Sequence, residues 1–377
     1  MSVLGCAQEY RAVIHWRGGG RPYTSPAISS LTSVSWSRSL NDISEASITV
    51  AKSGAGPECC AQLGAIHPWV HELTIYRDRD LVWQGPVSAV VESRDSIRID
   101  ALDVIAWLGR TVNTTLLRYV TANADAGGRR RGPVQWIAEH IIRTNLTSAL
   151  SVPPDYPGML NYIVRQDGPT TRFEMDGESN SAVWSAYLLT VMEELAKRGL
   201  EYTTVGRTLL LRGPADETTP AQARLGLADI AGDVEVIRDG ASAATHGWAT
   251  TQRANQIDDG RTAGWGATGT PYGRLDWLVT SEADTEDAEL LDMAKEARRG
   301  RYPAPTGISI PSGSRLAATA PVTMQQLVAG ERIDVSTASY CMETVQAFRV
   351  GDVEVSWGNS GEQVAVSLVP ATSLGGE

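Results

Sequence analysis

Between Val34 and Thr111 the chain alternates apolar and polar residues with a period of two, and this pattern constrains its fold more than any other feature. Ala46, Ile48 and Val50 alternate with Ser47 and Thr49, and Ile97, Ile99 and Ala101 alternate with Arg98 and Asp100. Successive side chains of an extended strand point to opposite faces, so each segment offers one face to a core and one to water. Between them, a charged tetrad from Arg77 to Asp80 separates two apolar runs, which predicts a hairpin. From Asp103 to Thr111 the spacing shifts towards 3.6, as in a short helix. The stretch reads as an antiparallel β-unit closed by a helix, and nothing in it is catalytic.

The same grammar recurs outside this unit. Tyr10 to Trp16 reads as a first strand ended by Gly18, Gly19 and Gly20, and residues 53–68 read as a Gly/Pro/Cys-rich loop. Pro133 marks a helix start, with Trp136, Ile137, His140, Ile141 and Asn145 at helical spacing. Asn180 to Arg198 is the strongest helical stripe, through Val183, Trp184, Tyr187, Leu188, Val191, Met192 and Leu195, and Gly199 ends it. A hairpin turning at Gly206 and Arg207 follows, then a polar linker, a short strand from Asp233 to Gly240, and a polar stretch from Ala249 to Gly273. Glu286 to Arg299 reads as a helix with acids first and Arg298 and Arg299 last. After a linker with Pro303, Pro305 and Pro311, alternation returns at Ile333/Val335, Val353/Val355/Trp357 and Val364/Val366/Leu368. Gly358 to Gly361 is a turn signal, so this end repeats the strand–turn–strand pattern of Leu81 to Ala101.

The expected fold class is therefore α+β multidomain. Related β-modules are expected at the N- and C-terminal ends (1–102 and 303–377), with α+β domains (103–215 and 216–302) inserted between them; the resemblance given below implies that these end modules are β-barrel-like domains. At 377 residues the chain exceeds the usual limit of a single core.

A formal charge of −11 argues against general affinity for nucleic-acid backbones, which requires concentrated positive charge. Phe occurs twice while Trp and Tyr occur eleven times each, a balance that suits contact surfaces. Cys6, Cys59, Cys60 and Cys341 fit neither a zinc spacing nor a disulfide scaffold, so reduced thiols are expected. Val3-Leu4-Gly5-Cys6 lacks the basic and apolar segments of a lipoprotein leader, so secretion and lipidation are not expected. No run of about 18 apolar residues exists to span a membrane.

Each chemical motif has a plainer reading. Gly264 to Gly269 matches GxGxxG without the strand–helix context of a dinucleotide site, and reads as a Gly-rich loop. His67 and His71 are four apart, but Pro68 and the following strand pattern spoil helical metal geometry, leaving a surface loop. The acids Glu193-Glu194, Asp258-Asp259 and Glu286-Asp287 could be imagined as glycosidase pairs, and read as solvated faces. Arg129-Arg130-Arg131 reads as a mobile solvated loop or a docking point for an acidic partner. Cys59-Cys60 lacks CxxC spacing, and no GxSxG is present. No catalytic, cofactor-binding or metal residue is assigned, no cofactor is expected, and the chain reads as a non-enzyme.

The segments SWSRSLNDISEASITV, HPWVHELTIYRDRDLVWQGPVSAVVESRDSIRIDALDVIAWLGRT, VIRDGASAATHGWATTQRANQIDD and VEVSWGNSGEQVAVSLVP, in that order, resemble the minor tail proteins of actinobacterial siphophages, and through them the baseplate hub, or tail-tip, family. The resemblance implies a homotrimer in which two barrel-like domains per chain present six positions to a six-fold tube or distal tail ring. It also implies partnership with a distal tail protein hexamer, the tape measure protein C-terminus and other tail-tip or fibre proteins. DNA would pass through without specific binding, and the chain would not insert stably in a membrane. A virion tail-tip location, assembled in the host cytoplasm, is the corresponding expectation. Rival readings are a cell-wall hydrolase using acids such as Glu193 or Asp258, and a six-copy distal tail or adhesin component.

Overall fold

The computed structural model describes residues 4–5, 7–17, 22–23, 28, 30–52, 57–114, 130–146, 163–165, 172–175, 186–196, 199–213, 219–238, 240–241, 243–251, 261–281, 287–298, 301–302, 306–338 and 340–371. Strands β1 (Tyr10–Trp16), β2 (Leu31–Ser39) and β3 (Glu45–Ala51) come first, followed by helix α1 (Pro57–Gly64). Next are β4 (His71–Arg77), β5 (Asp80–Glu92), β6 (Ser96–Leu102) and a 3₁₀ turn over Val104–Arg110. The middle holds β7 (Arg130–Pro133), α2 (Val134–Leu146), β8 (Ile163–Arg165), β9 (Arg172–Met175), α3 (Leu188–Ala196), β10 (Glu201–Val205) and β11 (Thr208–Arg212). Then come β12 (Ala223–Gly226), β13 (Ile230–Ala231), β14 (Glu235–Arg238), β15 (His246–Thr251), β16 (Thr262–Gly266), β17 (Asp276–Ser281) and α4 (Asp287–Arg298). Strands β18 (Thr306–Ser309), β19 (Ser314–Leu316), β20 (Arg332–Ser336), β21 (Val345–Gly358) and β22 (Gly361–Pro370) close the chain.

The two ends of the chain share one twelve-stranded sheet. Its order is β1-β4-β5-β6-β3-β2-β21-β22-β19-β13, with β20 on β21 and β12 on β20. The join is antiparallel pairing of β2 with β21, with Trp36 opposite Val355 and Arg38 opposite Val353. Alternation decides the buried face: Ala46, Ile48 and Val50 of β3 and Ile97, Ile99 and Ala101 of β6 are all buried. They share one apolar cluster with Ile14, Ile75, Ile333, Phe348, Val353 and Val366. Each such Val, Ile or Phe side chain contributes about 1.5–3 kcal/mol on burial.

Two long strands bend this sheet in parallel ways. β5 pairs with β4 up to Pro86 and with β6 from Val87, with a register shift between Val87 and Ala89. β21 pairs with β20 up to Arg349 and with β2 from Asp352. Its own register shift, against β22, falls between Val350 and Asp352. A bulge adds a residue to one strand and kinks it, which lets one strand change partners. At Gly85 a Cβ would overlap the Leu102 carbonyl, so the bend in β5 requires glycine there. No barrel closes by backbone pairing among the described residues, because the hydrogen-bonded path ends at β1 and β13. The barrel-like closure expected for each end is thus replaced by one shared sheet.

Several local expectations hold: the first strand, the Arg77–Asp80 hairpin, the β10–β11 hairpin and the last two strands stand where alternation placed them. Others are corrected. Residues expected as loop include helix α1, because Pro57 can occupy a first helical turn, where its missing N–H costs no bond. The described part of the helix expected over Asn180–Arg198 is Leu188–Ala196, and Tyr187 instead bridges Val112. Val183, Trp184, Lys197 and Arg198 lie outside the described residues. The polar stretch Ala249–Gly273 carries β16 and the second half of β15, in a sheet ordered β16-β15-β17. Alternation there is masked because Gly247 and Ala249 supply the buried face against α4 with almost no side chain.

Candidate functional site

The sheet brings the two ends of the chain to a buried polar junction. Glu362 is the second residue of β22, just after the turn that joins it to β21; Arg77 ends β4 and Tyr10 begins β1. The Arg77 guanidinium donates from Nε to Glu362 Oε1 at 2.6 Å and from Nη2 to Oε2 at 2.7 Å. Tyr10 Oη donates to Oε1 at 2.6 Å and the Ala7 N–H to Oε2 at 3.3 Å. Burial alone would raise the Glu362 pKa, but the Arg77 and Tyr10 hydrogen bonds outweigh it and hold the carboxyl below its usual range. Burial, reinforced by this neighbouring carboxylate, drives the Tyr10 phenol far above its ordinary range. The Tyr10 ring also lies 5.6 Å from that of Trp357. The first two strands of the backbone path, β1 and β4, are thus clasped by side chains to β22, far along it.

Arg38 makes a second clasp. It occupies an inward position of β2, wholly buried, and donates to the carbonyls of Met324 (3.0 Å), Leu327 (2.8 Å) and Val82 (2.9 Å). Burial lowers its pKa to about 10. A guanidinium suits this place because its planar fork reaches several carbonyls at once.

A third set docks the β10–β11 hairpin onto the sheet. Thr203 Oγ1 donates to Ser39 O at 2.8 Å, and Tyr202 Oη donates to Asn41 O at 2.9 Å. Arg207 pairs with buried Glu72 at 3.2 Å, and Arg212 with Glu331 at 2.7 Å, while Arg349 pairs with Glu201. Asp103 accepts from Ser44 Oγ, Thr204 Oγ1 and the Ile105 N–H at 2.7, 3.0 and 2.9 Å. Burial raises its pKa to about 6 against the pull of these donors. The inserted α+β material is therefore keyed to the sheet by complementary buried charges.

The outer face of the joined sheet forms a shallow polar trough of about 730 Å³. Ser35, Ser37, Ser47 and Ser356 line it with short hydroxyls, Glu45, Asp100 and Glu354 add negative charge, and Arg315 is the cation in its lining.

The motifs considered in the sequence do not converge. His71 is buried, not a surface-loop residue: its Nδ1 faces the His67 N–H at 3.0 Å and its ring packs 4.6 and 4.3 Å from Trp16 and Tyr23. Gly264 to Gly266 lie in β16, which corrects the loop reading there, while Ala267 to Gly269 are irregular as expected; no helix opens on them, which leaves no dinucleotide cradle. Arg130 and Arg131 are in β7 and not in a loop, while Arg129 is outside the described residues. Glu193 and Glu194 are exposed on α3; Asp258, Asp259 and Glu286 lie outside the described residues. Among the described residues, no group of three His, Cys, Asp or Glu could hold a metal ion. Cys60 and Cys341 are free thiols.

No family model matches the chain, and no curated protein matches it. Solved structures do. A 43 kDa tail protein of prophage MuSo2 from Shewanella oneidensis is 13% identical with a TM-score of 0.56, over 96% of this chain and 98% of that one. A tail protein from Neisseria meningitidis MC58 gives 13% identity and 0.53, over 95% and 96%. Prophage tail protein gp18 from Listeria monocytogenes EGD-e gives 9% and 0.52, over 95% and 94%. This is a phage-tail protein fold. The junctions around Glu362, Arg38 and Asp103 were missed in the sequence because each joins residues far apart in the chain, 285 positions in the case of Arg77 and Glu362. A weak signal existed at Arg38, a charge on the inward phase of the alternation through Val34 and Trp36.

Proposed function

We propose that this chain is a structural hub at the tip of a siphophage tail, resembling those of actinobacterial phages, that forms a homotrimer and has no enzymatic activity of its own. In this reading its two end modules occupy neighbouring places in a six-fold ring, so that three chains adapt a distal tail hexamer to a three-fold tip. The domain division 1–102, 103–215, 216–302 and 303–377 belongs to the same proposal. The observation that carries it is the union of both ends in one sheet, each end with one long, bulged strand that changes partners. A polypeptide must hold two such modules rigidly side by side to stand at two places in a ring. Buried clasps at Glu362 and Arg38 supply that rigidity.

The serine-lined trough is the face we assign to a conduit for DNA. Short hydroxyls and net negative charge neither grip phosphates nor obstruct them. The tape measure protein C-terminus and tail-tip or fibre proteins are the remaining partners in this reading.

Sedimentation of the purified chain and copy number in purified virions test the reading together. A trimer in solution, or three copies per tail tip in a cryo-EM map, is the expected result. A stable monomer absent from the tail, six copies per tail, or peptidoglycan turnover by the purified chain would overturn it.

A further inference from the structure

Two surface features, one built around the α1–β4 loop and one around β14, complement each other in shape and charge. The first is convex. In the loop from His67 to Val70, His67, Pro68 and Val70 are exposed and Trp69 is partly buried. Trp69 sits at φ +62°, a left-handed backbone that a bulky side chain rarely adopts. Its amide bonds Val87 O at 2.9 Å and its ring stands edge-on to Trp107 at 4.9 Å, so this strained posture is fixed. Arg110 stacks on Trp69 with its guanidinium carbon 5.1 Å from the ring centroid, and Arg17 stacks on Trp107 at 4.1 Å. Arg110 is exposed and forms no ion pair among the described residues. The loop therefore presents apolar surface and positive charge on a chain whose formal charge is −11.

The second feature is concave, a groove of about 650 Å³ between β14 and the loop that joins β20 to β21. Val234, Val236 and Ile237 line one side, and Tyr340, Cys341 and Met342 line the other. Tyr340 Oη donates to Val234 O at 3.0 Å and ties the two sides together. Ile237, Tyr340 and Met342 are 44%, 40% and 39% exposed, so apolar surface lies open along the groove. A contiguous exposed apolar patch of this kind marks an interaction site. Asp233, Glu235 and Glu343 are exposed beside or within this lining and form no ion pair among the described residues. They outnumber Arg238 at the end of β14, so the rim is negative.

We infer that the His67–Val70 loop of one copy of this chain seats in the β14 groove of a second copy, with Arg110 of the first facing Glu235 and Glu343 of the second. This contact rests on the homotrimer reading and names the surfaces by which neighbouring chains meet. Charge selects the occupant. Two copies of −11 repel each other, so they need a place where opposite signs are juxtaposed, and the cationic loop and the acidic rim supply one. Composition agrees, because Trp and Arg are the side chains on which interfaces concentrate their binding energy. The two surfaces differ, so the contact is head-to-tail. Each copy gives its loop to one neighbour and its groove to the other, and a closed ring leaves neither surface bare.

The test is sedimentation equilibrium of the full-length chain at low and high salt. Arg110→Glu should weaken self-association by about tenfold or more, and so should Glu235→Lys combined with Glu343→Lys, because each sets like charges face to face. The chain carrying all three changes has its signs exchanged and should regain most of the wild-type association, a recovery that misfolding would not give. Cross-linking supplies a second readout. Cys341 is a free, exposed thiol in the groove, so Val70→Cys should form an interchain disulfide with it under copper–phenanthroline oxidation, and Cys341→Ser should abolish that product. A wild-type chain that stays monomeric overturns the hub reading and this contact together. The contact alone falls, with the hub reading intact, if a wild-type trimer ignores the charge reversals, if the triple variant fails to recover, or if the Val70→Cys cross-link does not depend on Cys341.

Discussion

The joined sheet and the β16-β15-β17 unit use polar and aromatic groups in opposite ways. In the joined sheet, Arg38, Arg77 and Glu362 are inside, each hydrogen-bonded to partners from distant parts of the chain. In the smaller unit the ion pair Arg274–Asp276 and Leu278, the most exposed large aliphatic among the described residues, are outside. The first arrangement fixes which segments meet, because a buried charge tolerates no other neighbour. The second lies in solvent, where the Arg274–Asp276 pair and the Trp248–Asp276 hydrogen bond order only the surface of the unit. The contrast separates residues that hold the molecule together from residues that it presents.

The sharpest way to break this contrast is Arg77→Ala. Removing one partner of a buried, bidentate pair leaves Glu362 without its counter-charge, at a cost of roughly 3–5 kcal/mol. The urea midpoint should fall steeply, and ligation of the two chain ends should loosen first, visible as faster exchange of β1 and β22 amides. A midpoint within error of wild type would mean that the junction is wet and the clasp unimportant.

Gly247→Ala should be smaller and confined to the other unit. The added methyl meets the Ala294 carbonyl, so α4 must lift from β15, at about 1–3 kcal/mol for overpacking. Limited proteolysis should then cut within 246–298 while the joined sheet stays protected. Loss of the whole fold in one step would show that the two units unfold as one.

pH gives a third comparison. The folded Glu362 carboxyl titrates below the usual 4.5, so in that window the unfolded chain binds more protons than the folded one. The stability it contributes is complete above about 4.5 and is lost as the pH falls through the folded value. Thermal midpoints between pH 5 and 3 should decline more steeply in wild type than in Glu362→Gln, which is less stable throughout but has lost this slope. Parallel declines would remove Glu362 as the source.

How much of this was readable beforehand follows the same division. Period-two alternation marks β3, β6 and β22 directly, since a strand with one buried face must write that face into its sequence. Pairing between β2 and β21 was not readable, because register with a segment more than 310 residues away leaves no local trace. The β15–β16 pair was obscured for a different reason. Where a helix backbone approaches as closely as α4 approaches Gly247, the buried phase is written in Gly and Ala, and a hydropathy pattern goes silent. Trp248 and Trp265 were legible as aromatics, but only register shows that they point to opposite faces, Trp265 towards Lys295 of α4.

The smallest expected effect carries the most discriminating power. Arg274→Ala deletes an ion pair whose two side chains are 65% and 43% exposed, and solvent already screens it. Its urea midpoint should match wild type, as should its thermal midpoint at any salt concentration. Unchanged midpoints would show that the exposed pair does no structural work. A measurable fall in stability would instead mean that Asp276 is needed to hold Trp248 in place within the fold. The distinction between a residue that holds and a residue that presents would then fail at the position where the structure draws it most clearly.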